Sequence, residues 1–240
     1  NTFIRNKDLG FRKETLIVSC SDAKVVAAIQ ALKNDILRYP GVSKASFSSA
    51  SPLGITAGMG NFLMKNENGE DVKLESLKIQ FVDEDFLDLY GIRVLQGRGF
   101  SKEFPGDAQN GVLVNETYVK ALGLRDPLGR RVDLAAWKIT DRRIIGIVSD
   151  FHFLPLYQRI VPLVIAPGSP GSNVACLSVA IKPGSLSGAL AYIKNAYQKA
   201  SSGSPFRYAF LDESFANTYR RERKLGIIFS GFTILAVVIS

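Results

Sequence analysis

The chain has 240 residues, 46% of them hydrophobic and 22% charged, which excludes both a mini-protein and a wholly disordered chain. Cys20 and Cys176 alone cannot build a disulfide framework or a cysteine-based zinc site, and the single His152 excludes a multi-histidine metal centre within the chain. The net charge of +8 comes from basic residues scattered along the chain rather than gathered in a stripe, so nucleic acid is not an expected partner.

Leu16 to Cys20 reads as a strand, and Ser21 or Asp22 can cap the helix after it. That helix carries Val25, Ile29, Leu32 and Ile36 at 4-3-4 spacing, which makes one apolar face. Pro40-Gly41 stops it, and Val42 to Ser49 returns as a strand. Ser51 to Gly69 is Gly-rich and largely polar and is expected to be a mobile loop. Lys73 to Val82 is a strand, Glu84 to Tyr90 a short helix capped by Asp83, Ile92 to Leu95 an extended segment and Gln96 to Gly99 a turn. Gly111 to Val114 is a strand whose following helix, to Leu122, is capped by Asn115. After a turn at Pro127-Leu128-Gly129, Arg131 to Ala135 and Arg142 to Val148 complete an antiparallel set with Trp137 at its tip.

The first pattern then recurs. Val174 to Lys182 is a strand, a helix follows with Leu186, Leu190, Ile193 and Tyr197 again at 4-3-4 spacing, and Phe206 to Leu211 is a strand with Phe206, Tyr208 and Phe210 on one side. Two such β-α-β units predict an α+β fold: a split βαβ sheet of the ferredoxin-like kind, from 1–50 and 166–211, with a β-rich subdomain, 51–165, inserted in it. Asp212 can cap a last helix that runs through Phe215 and Tyr219 into a cluster of Arg220, Arg221, Arg223 and Lys224. The helix either continues unbroken past Gly226 or kinks there. From Leu225 to Ser240 no residue is charged. As a helix that segment is ~24 Å long, against ~30 Å for a bilayer core, so it reads as a membrane span cut short or as a buried core helix; the span is favoured. The beginning at Asn1 and this apolar end mark the sequence as a piece of a longer chain. The basic cluster before it suits anionic lipid headgroups.

Catalytic patterns fail. There is no phosphate loop, Gly97-Arg98-Gly99 lacks the third glycine of a dinucleotide fingerprint, and the serines of Gly184 to Gly188 miss the nucleophile position of a hydrolase elbow. Asp150 and His152 lack a third metal ligand in sequence, and the acids Asp83, Glu84 and Asp85 are explained by a helix dipole better than by acid–base chemistry. No catalytic, cofactor or metal residue is assigned. The two cysteines are either bridged or two buried thiols, the thiols being favoured.

Several motifs in order resemble one family: Asp8-Leu9-Gly10-Phe11, Phe81-Val82-Asp83-Glu84-Asp85-Phe86, Gly97-Arg98-Gly99-Phe100, Val114-Asn115-Glu116, Ala121-Leu122-Gly123, Pro127-Leu128-Gly129, Ile145 to Phe153 and Phe210 to Phe215. Together they resemble the periplasmic domain of MacB/FtsX-type ABC transporter permeases. The resemblance implies a porter-like part from 1–50 and 166–211, an inserted sabre-like part at 51–165, a stalk helix at 212–224 and the start of a transmembrane helix at 225–240. It implies mechanotransmission, in which ATP-driven motion of membrane helices reaches periplasmic partners or substrate, with Asp212, Phe215, Tyr219, Arg220, Arg221, Arg223 and Lys224 as the mechanical stalk. The implied partners are a cytoplasmic ATPase subunit or domain, a second permease copy, a periplasmic adaptor or substrate and the membrane, with no cofactor. The implied location is the inner membrane, with this domain on the periplasmic side. The competing readings are the extracytoplasmic sensor domain of a signalling receptor and a hydrolase with a pocket around His152.

Overall fold

A computed structural model describes residues 15–50, 58–151, 159–169 and 174–211. The first unit is β1 (Thr15–Ser19), two short helices α1 (Ala23–Ala27) and α2 (Ile29–Ile36), and β2 (Val42–Ser48). Asp22 caps α1 by accepting from the Lys24 and Val25 N–H groups at 2.8 and 3.4 Å. The single helix expected here is broken at Ala28, whose backbone leaves helical geometry. The break does not disturb the stripe, because Val25, Ile29, Leu32 and Ile36 are all buried. Burying each of these side chains contributes about 1.5–3 kcal/mol.

The second unit is β10 (Cys176–Ile181), α6 (Leu186–Ala200) and β11 (Tyr208–Phe210). Its helix buries Ala189, Ile193, Ala196 and Tyr197, while Leu186 is exposed. Of the expected face, Ile193 and Tyr197 are buried and Leu190 packs half-buried against the same core, so only Leu186 departs from it. The strands assemble in the order β11-β1-β10-β2, all antiparallel, which is the order of a split βαβ sheet. Leu16, Val18, Ala45, Phe47, Leu177 and Val179 face α1, α2 and α6 in one core.

Between the two units lie β3 (Gly58–Lys65), β4 (Asp71–Val82), α3 (Phe86–Tyr90), β5 (Val94–Gly97), α4 (Asp107–Asn110), β6 (Gly111–Asn115), α5 (Glu116–Leu122), β7 (Arg131–Leu134), a 3-10 turn at Ala135–Trp137, β8 (Ile139–Val148) and β9 (Leu163–Pro167). Four expectations are corrected. Much of the presumed loop is β3, which pairs antiparallel with β4 and turns Phe62 and Met64 against Leu74 in spite of its glycines. Asp83 does not cap α3; its side chain is drawn elsewhere, and the helix begins only at Phe86. Gln96 and Gly97 belong to β5 rather than to a turn. The set is mixed rather than antiparallel, because β4 runs parallel to β9 and β6 parallel to β8. The strand β9 and helix α4 were not anticipated. Asn115 does cap α5, accepting from the Tyr118 N–H at 3.0 Å.

The inserted strands continue the first sheet in the order β2-β4-β9-β6-β8-β5. One face of this half covers Leu77, Ile79, Val112, Tyr118, Ile144 and Val164. A third core is shared: Ile17, Cys176, Ala180 and Leu211 of the split unit pack in it with Phe86, Leu89, Tyr90, Leu113, Val148 and Ile165 of the insertion. The second face of the four-stranded half is thus covered, which is why all of β10 is buried. Among the described residues no helix is long and apolar enough to cross a membrane.

A buried polar seam between the two halves of the sheet

Strand β2 ends in Ser46, Phe47 and Ser48, and all three are buried. Serines on a buried strand face require polar partners. Ser46 finds its partner, Asp83, in the insertion, whereas the Ser48 hydroxyl donates to the Ala50 carbonyl at 2.8 Å. The two halves of the sheet share one strand pair, Ser48 opposite Val82. Around it the Ser49 N–H donates to the Phe81 carbonyl at 2.8 Å, and the Phe81 N–H to the Ser49 hydroxyl at 2.9 Å.

Asp83 extends this ladder with its side chain. Its N–H donates to the Phe47 carbonyl at 3.2 Å, and its carboxylate accepts from the Phe47 N–H at 3.0 Å and the Ser46 hydroxyl at 2.6 Å. Lys33 of α2 donates to the same carboxylate at 2.7 Å and also to Asp85. The Lys33 and Asp83 side chains are 2% and 1% exposed, so this is a buried ion pair. Burial pushes the Asp83 pKa above the ordinary carboxylate value, against the opposing pull of Lys33, Ser46 and the Phe47 N–H. Burial also works against the Lys33 ammonium, but Asp83 and Asp85 outweigh it and its pKa is raised. Lys44 of β2 pairs with Asp88 of α3 in the same region.

One further hydrogen bond crosses the seam, and a second contact lies beside it within the split unit. The Tyr90 and Ser178 hydroxyls lie 2.6 Å apart, and the Ser48 hydroxyl lies 3.2 Å from the Cys176 sulfur. Burial holds the Tyr90 phenol well above its ordinary pKa and pushes the Cys176 thiol up to about 11. Cys20 is likewise raised by burial, and both cysteines are free and buried.

The acids Asp83, Glu84 and Asp85 are thus engaged in ion pairs, Glu84 with Lys102 at 3.1 Å. Beside them is a cleft of about 320 Å³ lined by Asp83, Glu84, Phe100, Lys102, Phe104 and Pro167. Asp150 accepts from the Asn115 amide at 2.8 Å and from the Thr117 hydroxyl at 2.8 Å, a structural role. Among the described residues no group of three or more His, Cys, Asp or Glu side chains is placed to hold a metal ion. His152 lies outside the described residues, as do Asp212, Phe215, Tyr219, Arg220, Arg221, Arg223, Lys224 and the apolar segment after them. The structure therefore brings together residues that the sequence reading did not assign: Lys33, Ser46, Ser48, Tyr90, Ser178 and, in this role, Asp83. One signal was present, because Lys33 lies between Ile29 and Ile36 on the apolar stripe of its helix, where a charge needs a partner.

The MacB-like periplasmic core domain family matches residues 14–193 of this chain. Among solved structures, the periplasmic region of MacB from Actinobacillus actinomycetemcomitans is similar, with 15% identity, a TM-score of 0.60 and coverage of 91% of this chain and 98% of that one. The extracellular domain of the noncanonic ABC-type transporter YknZ from Gram-positive bacteria is also similar, with 15% identity, a TM-score of 0.55 and coverage of 82% and 98%. At these identities the likeness is one of fold. No curated protein matches.

Proposed function

We propose a mechanical function for this chain, which belongs to the MacB-like periplasmic core domain family: it carries motion from the membrane helices of an ABC permease to partners or substrate outside the inner membrane. One observation carries the reading. Leu16 pairs with Phe210, so Thr15 and Leu211 lie at the same end of the sheet. A domain inserted between two membrane helices needs this arrangement, since both connections must lead back to one bilayer.

In this reading 1–50 and 166–211 are the porter-like part and 51–165 the sabre-like part. Asp212 to Lys224 form the stalk, with Phe215 and Tyr219 on one face and Arg220, Arg221, Arg223 and Lys224 near the headgroups, and Leu225 onward begins the second membrane helix. ATP is hydrolysed by a cytoplasmic subunit or domain, and a second permease copy completes the transporter. The described domain contributes stiffness and surface rather than catalysis.

The test is a flexible Gly-Ser insertion after Arg221 in the intact transporter. Transport is expected to fall while ATP hydrolysis and the fold of the domain persist. Undiminished transport would refute the stalk.

A further inference from the structure

We infer that the two halves of the sheet form one rigid body, held across the seam by their shared core together with the Lys33–Asp83 pair, so that displacement applied at Leu211 moves both halves together. The purpose of this device rests on the mechanical reading above, whereas its test does not.

By strand pairing alone the seam would be a hinge, because only Ser48 and Val82 pair across it. Three other features cross the same line. The shared core places Ile17, Cys176 and Ala180 against Phe86, Leu89 and Tyr90, and bending would expose those apolar faces to water. The buried Lys33 and Asp83 charges would be separated where neither has water to replace its partner. The Tyr90–Ser178 hydrogen bond would also be lost. Close-packed interfaces of this kind are intact or broken, not continuously deformable, so the seam has no soft intermediate.

Leu211 is the point where this body is gripped. It is fully buried in the shared core, one residue after Phe210, which pairs with Leu16 at the edge of the sheet. A pull there acts on residues of both halves at once, and the inserted half is carried with the split half.

Amide hydrogen exchange of the 240-residue chain tests the inference through the Ser49, Phe81 and Asp83 N–H groups, which are bonded across the seam. They are expected to exchange within about tenfold of the slowest amides of β10 and β6, because no opening smaller than global unfolding releases them. Faster exchange at the seam than this would overturn the inference by showing a hinge. In Lys33→Met, exchange should quicken by a similar factor in β10, in β6 and at the seam, and acceleration confined to the seam would overturn it equally. Either overturning result leaves the stalk proposal standing, and the Gly-Ser insertion tests that separately.

Discussion

Replacing Lys33 by Met tests the energetics of the seam most directly. Methionine matches the apolar stem of lysine and keeps the packing between Ile29 and Ile36, but it leaves the Asp83 carboxylate buried with only Ser46 and the Phe47 N–H as donors. Breaking a buried pair from one side costs about 3–5 kcal/mol. The second change, Asp83→Asn, removes the stranded charge while keeping an oxygen that accepts from Phe47 or Ser46. Lys33→Met/Asp83→Asn should therefore recover at least about 2 kcal/mol relative to the sum of the single changes, a coupling typical of contacting residues. The single variant should also become less defective as pH falls. Burial already raises the Asp83 pKa, and loss of Lys33 raises it further, so the folded state takes up a proton that the unfolded state does not. Stability gained this way is fully present below the unfolded carboxylate pKa of about 3.9 and fades as pH rises through the folded value. Urea unfolding of the four proteins at several pH values, followed by far-ultraviolet circular dichroism, measures each quantity. Additive costs and a deficit in Lys33→Met independent of pH would refute the reasoning.

Three other outcomes are expected. Asp22 is held at a pKa of about 2 by the Ser204 hydroxyl, the Ser202 N–H and its own helix cap, so it contributes stability above pH 4 that is lost as pH falls through 2; Asp22→Asn should flatten that part of an acid titration followed by circular dichroism. Both thiols should resist a disulfide-exchange reagent at pH 8 in the folded protein and react fully, with two equivalents, in denaturant, since burial raises the pKa of each. Gly146→Ala should lower stability by about 2–3 kcal/mol in urea unfolding, because a Cβ there would sit 2.2 Å from the Arg98 carbonyl and force β5 from β8.

Regular local patterns made much of the fold legible. The stripe of Val25, Ile29, Leu32 and Ile36, the alternation of Leu177, Val179 and Ile181, and the cap at Asn115 are short-range signals that tertiary packing did not override. Where packing decided the outcome, the reading failed. Gly58 to Lys65 has little strand propensity of its own, and only the long partner β4 makes it a strand. Leu186, in the first turn of α6, is exposed although Ile193 and Tyr197 of the same expected face are buried. The direction of β9 against β4 depends on a connection far outside any local window.

The seam shows the same division more sharply. Sequence alone was enough to indicate an α+β chain with two separated β-α-β units and a family resemblance, since each rests on residue order and period. It also offered Asp83 as a cap and Lys33 as an anomaly on an apolar face, without relating the two. They stand fifty positions apart, and no local rule sets the distance between them. Only the folded sheet, by laying the end of β4 against β2 under α2, removed water from both charges and made a surface-type pair of residues into a buried bond between the halves.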